Sequence, residues 1–270
     1  MRTVARGPLD AHPRVTHTRA DLCSPEARDA LKGVDVLWHL GAQLWRSPDS
    51  RQIAVNIEGT INVAAAGPAR IVLASSAAVY GAHPDNPLPI TEDHPPRPNA
   101  ECAYAWHKLE AERIVGAAAP AAVLRIGAVL GPHADPAVLR AARGYRWVVP
   151  AVSAPQALQF LDEDDAARAL LAAGTSDATG VWNVAPPDWL DEHDIARMAG
   201  GRVVRLPTRA ALTVAELGRR ARVLPFGADR ACLLDGPLAL DPARARAALG
   251  WEATRTSAEV LAEALLGGWT

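Results

Sequence analysis

Three short and almost unbroken apolar runs stand out along the chain, at residues 34–40 (VDVLWHL), 70–75 (RIVLAS) and 121–126 (AAVLRI). Each is bounded by polar residues, Gly or Pro, and none alternates with polar positions. That is the pattern of parallel strands covered on both faces, where neither side meets water. Between them, apolar positions recur at helical spacing and predict helices over 24–32, 49–66 and 104–117. The first has Ser24 as N-cap and Pro25 at its first position. Strand and helix in alternation predict right-handed βαβ units and an α/β, doubly wound parallel sheet. After about residue 131 the character changes. Residues 159–173 read as a strand end entering a helix and 181–184 as a strand. Further helices are predicted over 191–198, 208–222, 241–249 and 257–266. The expected organisation is a sheet domain over 1–155 and a smaller, mostly helical lobe over 156–270, with the chain crossing back to the sheet near 159–185. Such a lobe would cover the carboxyl ends of the strands, where open α/β sheets bind ligands.

Composition narrows the class. At 49% hydrophobic and 21% charged, the 270-residue chain has ample material for a core, which excludes disorder. A net charge of −2 gives no footprint for nucleic acid. No apolar run reaches the roughly 18 residues of a membrane span, and MRTVARGPLD has no apolar signal segment. Cys23, Cys102 and Cys232 form no CxxC pair, so the expectation is a reduced, cytoplasmic protein without structural zinc. Only Lys32 and Lys108 are lysines among 28 basic residues. A lysine kept against so strong a preference for arginine is informative.

That lysine sits in YAWHK. Tyr104 and Lys108 are four residues apart, one turn along one helix face. A nearby ammonium stabilises a phenolate, so the spacing predicts a tyrosine of lowered pKa that serves as acid or base. With three tyrosines and two lysines in the chain, a chance pair at this spacing has odds of roughly 2%. Ser75 and Ser76 end an apolar run one βα unit earlier. A hydroxyl there can hydrogen-bond a substrate oxygen; capping a helix is its plainer use.

With these segments the chain resembles the extended short-chain dehydrogenase/reductases, the NAD-dependent epimerase/dehydratase group, with their Rossmann-like fold. The matching stretches, in order, are ADL (20–22), GVDVLWHLGA (33–42), NIEGTINV (56–63), SSAAVYG (75–81), ITEDHPPRP (90–98), YAWHK, LRIGAVLGP (124–132), QFLDEDDAARALL (159–171), GVWNVA (180–185) and LGW (249–251). The resemblance implies Tyr104 as general acid/base, with Lys108 tuning it and holding the nicotinamide ribose, and Ser76 orienting the reacting oxygen. It implies Asp21 and Leu22 at the adenine, Leu40, Gly41 and Ala42 along the dinucleotide, and Tyr80 and Glu92 facing the substrate. Arg6 would meet a ribose 2′-phosphate, a hint of NADP over NAD. Asn56, Asn183 and Asp241 would be structural. A homodimer through two long helices is the family habit. Trp45, Trp106, Trp147, Trp182 and Trp189 could make the pocket aromatic or simply fill core and interface.

One family element is not found. No GxxGxxG turn occurs, and MRTVARGP resembles the family's second strand rather than its first. A first βα unit of about 25 to 30 residues is therefore expected to be missing. In the order 3-2-1-4-5-6 that strand is central. Three accounts stand: a misassigned start or a fragment, a complete chain with residues 1–6 or 15–18 shifted into the central place, or a partner chain that supplies the strand. The functional expectation is an NAD(P)-dependent oxidoreductase, epimerase or dehydratase acting on a small-molecule hydroxyl or ketone. The alternative is a cofactor-free descendant, either a Tyr-dependent isomerase, cyclase or lyase, or a ligand-binding protein without catalysis. His94, His107 and His133 lack ligand spacing, so no metal is expected, and Asp162–Asp165 is read as the acidic start of a helix.

Overall fold

A computed structural model of the chain describes residues 1–10, 12–43, 49–134, 136–151, 154–221, 223–224 and 227–267. In chain order come β1 (Arg2–Ala5), β2 (Thr16–Arg19), α1 (Pro25–Leu31) and β3 (Val36–His39). Helix α2 (Asp49–Ile53) passes through a π turn (Ala54–Glu58) into α3 (Gly59–Ala64). Then follow β4 (Arg70–Ser76), a 3₁₀ turn (Ala77–Tyr80), α4 (Ala103–Ala118), β5 (Ala121–Ile126), β6 (Ala128–Leu130), α5 (Pro136–Gly144), β7 (Val148–Ala151) and β8 (Phe160–Asp162). The remainder is α6 (Glu163–Thr175), β9 (Gly180–Val184), α7 (Glu192–Ala199), β10 (Arg202–Arg205), α8 (Thr208–Arg220), α9 (Ala228–Ala231), α10 (Ala243–Leu249) and α11 (Ser257–Leu266).

The three apolar runs form adjacent parallel strands of a four-stranded sheet, β3-β4-β5-β9. Successive side chains point to opposite faces, so both faces bury core. Val72, Leu124 and Trp182 meet Ala166, Ala169 and Ala173 of α6 on one face. Ile71, Leu73 and Val123 meet Ala111 and Val115 of α4 on the other. Ile71, Val72 and Leu73 are fully buried, each contributing about 1.5–3 kcal/mol of burial. The alanines let α6 lie close enough for the Trp38 indole to reach the Leu170 carbonyl at 2.9 Å. The expected N-cap also forms: Ser24 Oγ accepts the Ala27 N–H at 3.3 Å. Asp162 caps α6, whose first turn is acidic, as its N-terminal dipole favours.

The N-terminal strands lie apart from this sheet. Strands β1 and β2 pair in parallel with each other, Arg2 opposite Thr16 and Ala5 opposite Arg19. Among the described residues neither bonds to β3, so the expectation that residues 1–6 or 15–18 occupy the central place is corrected. Their own pairing satisfies one edge of each, and α1 anchors β1 through Arg2, whose guanidinium donates to the Ala30 and Lys32 carbonyls at 3.2 and 2.9 Å.

The sequence pattern missed α5 and the pairs β6–β8 and β7–β10. Residues 136–151, read as part of the sheet domain, pack instead with later segments. Leu139, Ala142 and Val149 share a core with Ile195, Val260, Leu261 and Ala264. The expected helix over 49–66 carries the π turn, and the helix expected from Asp241 begins at Ala243 with Pro242 at its N-cap, while Asp241 Oδ1 accepts the Ala243 N–H at 2.9 Å.

Candidate active site

Ser76 ends β4 and caps the following 3₁₀ turn, its hydroxyl oxygen accepting the Ala78 N–H at 3.2 Å. Facing it is α4, where Tyr104, Lys108 and Glu112 fall one turn apart on the face that packs on β4. The Ser76 hydroxyl hydrogen-bonds the Tyr104 phenol. The Lys108 ammonium lies 5.9 Å from the centroid of the Tyr104 ring and donates to the Ala74 carbonyl at 2.7 Å. The structure thus brings Ser76, Tyr104 and Lys108 together where β4 ends.

The electrostatics differ from the expectation. Burial pushes the Tyr104 phenol up to about 12, with the Ser76 hydrogen bond opposing the rise. The lowered phenol pKa is therefore corrected: the Lys108 cation is spent on a carbonyl of β4, and burial of the phenol dominates. Burial also brings Lys108 down to about 8, against the pull of Glu112. At neutral pH the phenol holds its proton beside a lysine whose charge is weakly held.

Beneath this pair lies a polar cluster that the sequence did not reveal. Ser75 Oγ donates to Glu112 Oε1 at 2.5 Å, and Arg125 grips the same carboxylate at 3.1 and 2.8 Å. The Arg125 guanidinium stacks over the Tyr80 ring at 4.7 Å. The available signals were the lone Arg inside the apolar run 121–126 and a Glu four residues after Lys108. Tyr80 and Glu92 are corrected as substrate-facing residues. Tyr80 is fully buried and donates to Asn183 Oδ1 at 2.9 Å, while Glu92 accepts the Asn183 N–H at 2.8 Å. Both hold β9 in place, as does Asn183 through the Ile90 carbonyl.

The loops after β2 and β3 form a second group. Arg51 bridges Asp21 and holds its carboxyl down to about 2. The Leu22 carbonyl accepts Asn62 at 2.6 Å, and its side chain fills the space beside Gly41, where any Cβ would overlap it. The π turn aims Asn56 at Gln43, gripping its N–H at 2.7 Å and its carbonyl at 2.9 Å, so residues 41–43 are pinned. Leu40 is half-exposed beside Gly41 and Ala42. Arg6 reaches across from the end of β1 to Gln43 Oε1 at 3.2 Å. Buried His39 hydrogen-bonds Thr60 at 2.9 Å and is pushed down to about 3 by burial, reinforced by the Lys108 charge.

These two groups hold the residues that the family resemblance assigns to a nicotinamide dinucleotide: Asp21 and Leu22 for the adenine, Gly41 along the dinucleotide, and Lys108 and Tyr104 for the nicotinamide end. No glycine-rich turn for the pyrophosphate occurs in the 270 residues. The tryptophans are dispersed. Trp182 is in the sheet core, Trp106 and Trp147 are exposed, Trp189 is partly exposed, and Trp45 lies outside the described residues. An open groove of about 570 Å³ lies at the far end of α4, lined by Gly116, Ala121 and Val181 among others, away from Tyr104.

The sequence model of the NAD dependent epimerase/dehydratase family matches residues 2–185. An uncharacterized protein of Mycobacterium bovis is 27% identical over 263 residues, covering 91% of this chain and 69% of that protein. Among solved structures, MoeE5 in complex with UDP-glucuronic acid and NAD superposes with a TM-score of 0.73 at 23% identity, covering 97% of this chain and 88% of that one. The UDP-glucuronic acid 4-epimerase of Bacillus cereus in complex with NAD gives 0.67 at 18% identity, over 96% and 83%.

Proposed function

We propose, from the premise that the chain belongs to the NAD-dependent epimerase/dehydratase family, that Tyr104 exchanges a proton with a hydroxyl or ketone of a small-molecule substrate, a nucleotide sugar in the first instance. One observation carries this reading: the Tyr104–Ser76 hydrogen bond beside Lys108, at the carboxyl end of a central parallel strand. Ser76 orients the reacting oxygen and Tyr104 protonates or deprotonates it. Lys108 would hold the nicotinamide ribose, and its charge there would favour the phenolate. A bound nicotinamide dinucleotide supplies the hydride acceptor or donor at the adjacent carbon. Asp21 and Leu22 would lie at its adenine, Leu40, Gly41 and Ala42 along the dinucleotide, and Arg6, hydrogen-bonded to Gln43 in the pinned loop, would meet a 2′-phosphate. Ile53 and Ile61 are exposed on α2 and α3, in keeping with a homodimer through the helices of this face. No described helix is long and apolar enough to cross a membrane.

The experiment is titration with NADH and NADPH, followed by turnover of UDP-glucuronic acid and UDP-glucose with NAD(P)⁺. Tyr104→Phe should cut turnover by about 10²- to 10⁴-fold, the usual worth of a positioned acid/base. Full turnover in that variant removes the role from Tyr104. Absence of dinucleotide binding rejects the redox reading in favour of ligand binding or proton chemistry without a cofactor.

A further inference from the structure

The sequence shows three cysteines with no pairing motif, yet the fold brings two of them together. Cys102 immediately precedes α4, two residues before Tyr104, and Cys232 follows α9, 130 positions away in the chain. Both are buried, at 1% and 2% exposure, in one small cluster with Ala78 and Ala105, flanked by Tyr104, Leu212 and Leu233. Cys23 lies elsewhere, donating to the Ala54 carbonyl at 3.2 Å.

We propose that Cys102 and Cys232 are a redox modification site, a thiol pair that closes to a disulfide and bolts the α8–α9 segment to the helix that carries Tyr104. The two thiols pack in this one cluster, and their interaction, helped by the Ala105 N–H in the first turn of α4, holds the Cys102 thiol below its ordinary value. The same contact and burial push Cys232 up, and its thiol donates to the Asp229 carbonyl at 3.4 Å. Packing in one buried cluster brings the two side chains together, as a disulfide, which tolerates Cα separations up to about 7 Å, requires.

The oxidant is a hydroperoxide. One of the two sulfurs attacks a peroxide oxygen, the O–O bond breaks, and a sulfenic acid and one water form when the peroxide is hydrogen peroxide. The other sulfur then displaces the hydroxyl from that sulfur, and the departing oxygen takes the remaining thiol proton as a second water. Two thiols and one peroxide give one disulfide and two waters. The sulfurs lose two electrons, and the peroxide oxygens gain them.

The site does not depend on the function proposed for Tyr104, and its test reads sulfur rather than turnover. The folded full-length chain is treated with hydrogen peroxide, its free thiols are titrated after denaturation, and its tryptic peptides are mapped. Two of the three thiols should disappear, with a linked peptide joining Cys102 to Cys232, and dithiothreitol should restore all three. Cys23→Ser should go from two thiols to none. The proposal is overturned if all three thiols persist, if Cys23 alone is consumed, or if the cysteines oxidise without linking. It also fails if the folded chain yields the Cys102–Cys232 link no more often than the guanidinium-unfolded chain.

Discussion

Glu112→Gln isolates what the buried ion pair under the active site contributes. The change keeps the shape of the side chain and removes its charge, leaving the Arg125 guanidinium without its counter-ion. The side chains of Arg125 and Glu112 are 6% and 8% exposed, so little water can compensate. Breaking such a pair by removing one partner costs about 3–5 kcal/mol, against a total stability of about 5–15 kcal/mol. The groove at the end of α4 includes Glu112 in its wall, and a water reaching the amide there favours the lower figure. At about 2–4 °C per kcal/mol for chains of this size, the melting temperature should fall by roughly 6–20 °C. Thermal and urea unfolding followed by circular dichroism provide the measurement. A double variant, Glu112→Leu with Arg125→Met, should recover much of the loss, because apolar groups of similar volume carry no desolvation cost. A single-variant loss below about 1 kcal/mol would refute the reasoning, because that is the worth of a solvated surface pair. The variant should also lower the Lys108 pKa further, since Glu112 is the group that opposes the effect of burial there.

Two further expectations concern the cofactor side. His39 is neutral in the fold, at about 3, and takes a proton near 6.5 when unfolded. Stability should therefore fall as pH drops from about 6.5 toward 3, by up to about 1.4 kcal/mol per unit from this group alone. Urea midpoints for the native protein and His39→Gln between about pH 6.5 and about pH 4 check this; equal slopes exclude the histidine as the cause. Arg6→Ala should weaken NADPH binding by about tenfold or more while sparing NADH, as loss of a charge-assisted bond to a 2′-phosphate requires. Equal losses for both would assign Arg6 to holding Gln43 instead.

Residue order alone was enough for the parallel strands at 70–75 and 121–126, the helix that carries Tyr104 and Lys108, the cap at Ser24 and the acidic helix start at Asp162–Asp165. These depend on local periodicity and on backbone groups within a few residues, both of which are written directly in residue order. The neighbourhood of Tyr104, Lys108 and Ser76 was also legible, because a four-residue spacing and a strand end fix it. Only tertiary structure decided the rest. Glu112, Arg125 and Ser75 converge because α4 crosses β4 and β5, and Cys102 meets Cys232 because α9 folds back on the start of α4. Tyr80 turned inward because Asn183, a hundred residues on, offers its hydroxyl an acceptor. The short strands Val148–Ala151 and Arg202–Arg205 carry almost no pattern of their own and exist through each other. The Tyr104 pKa went the opposite way to the spacing argument because spacing registers the cation, while burial, the larger effect, belongs to the whole fold.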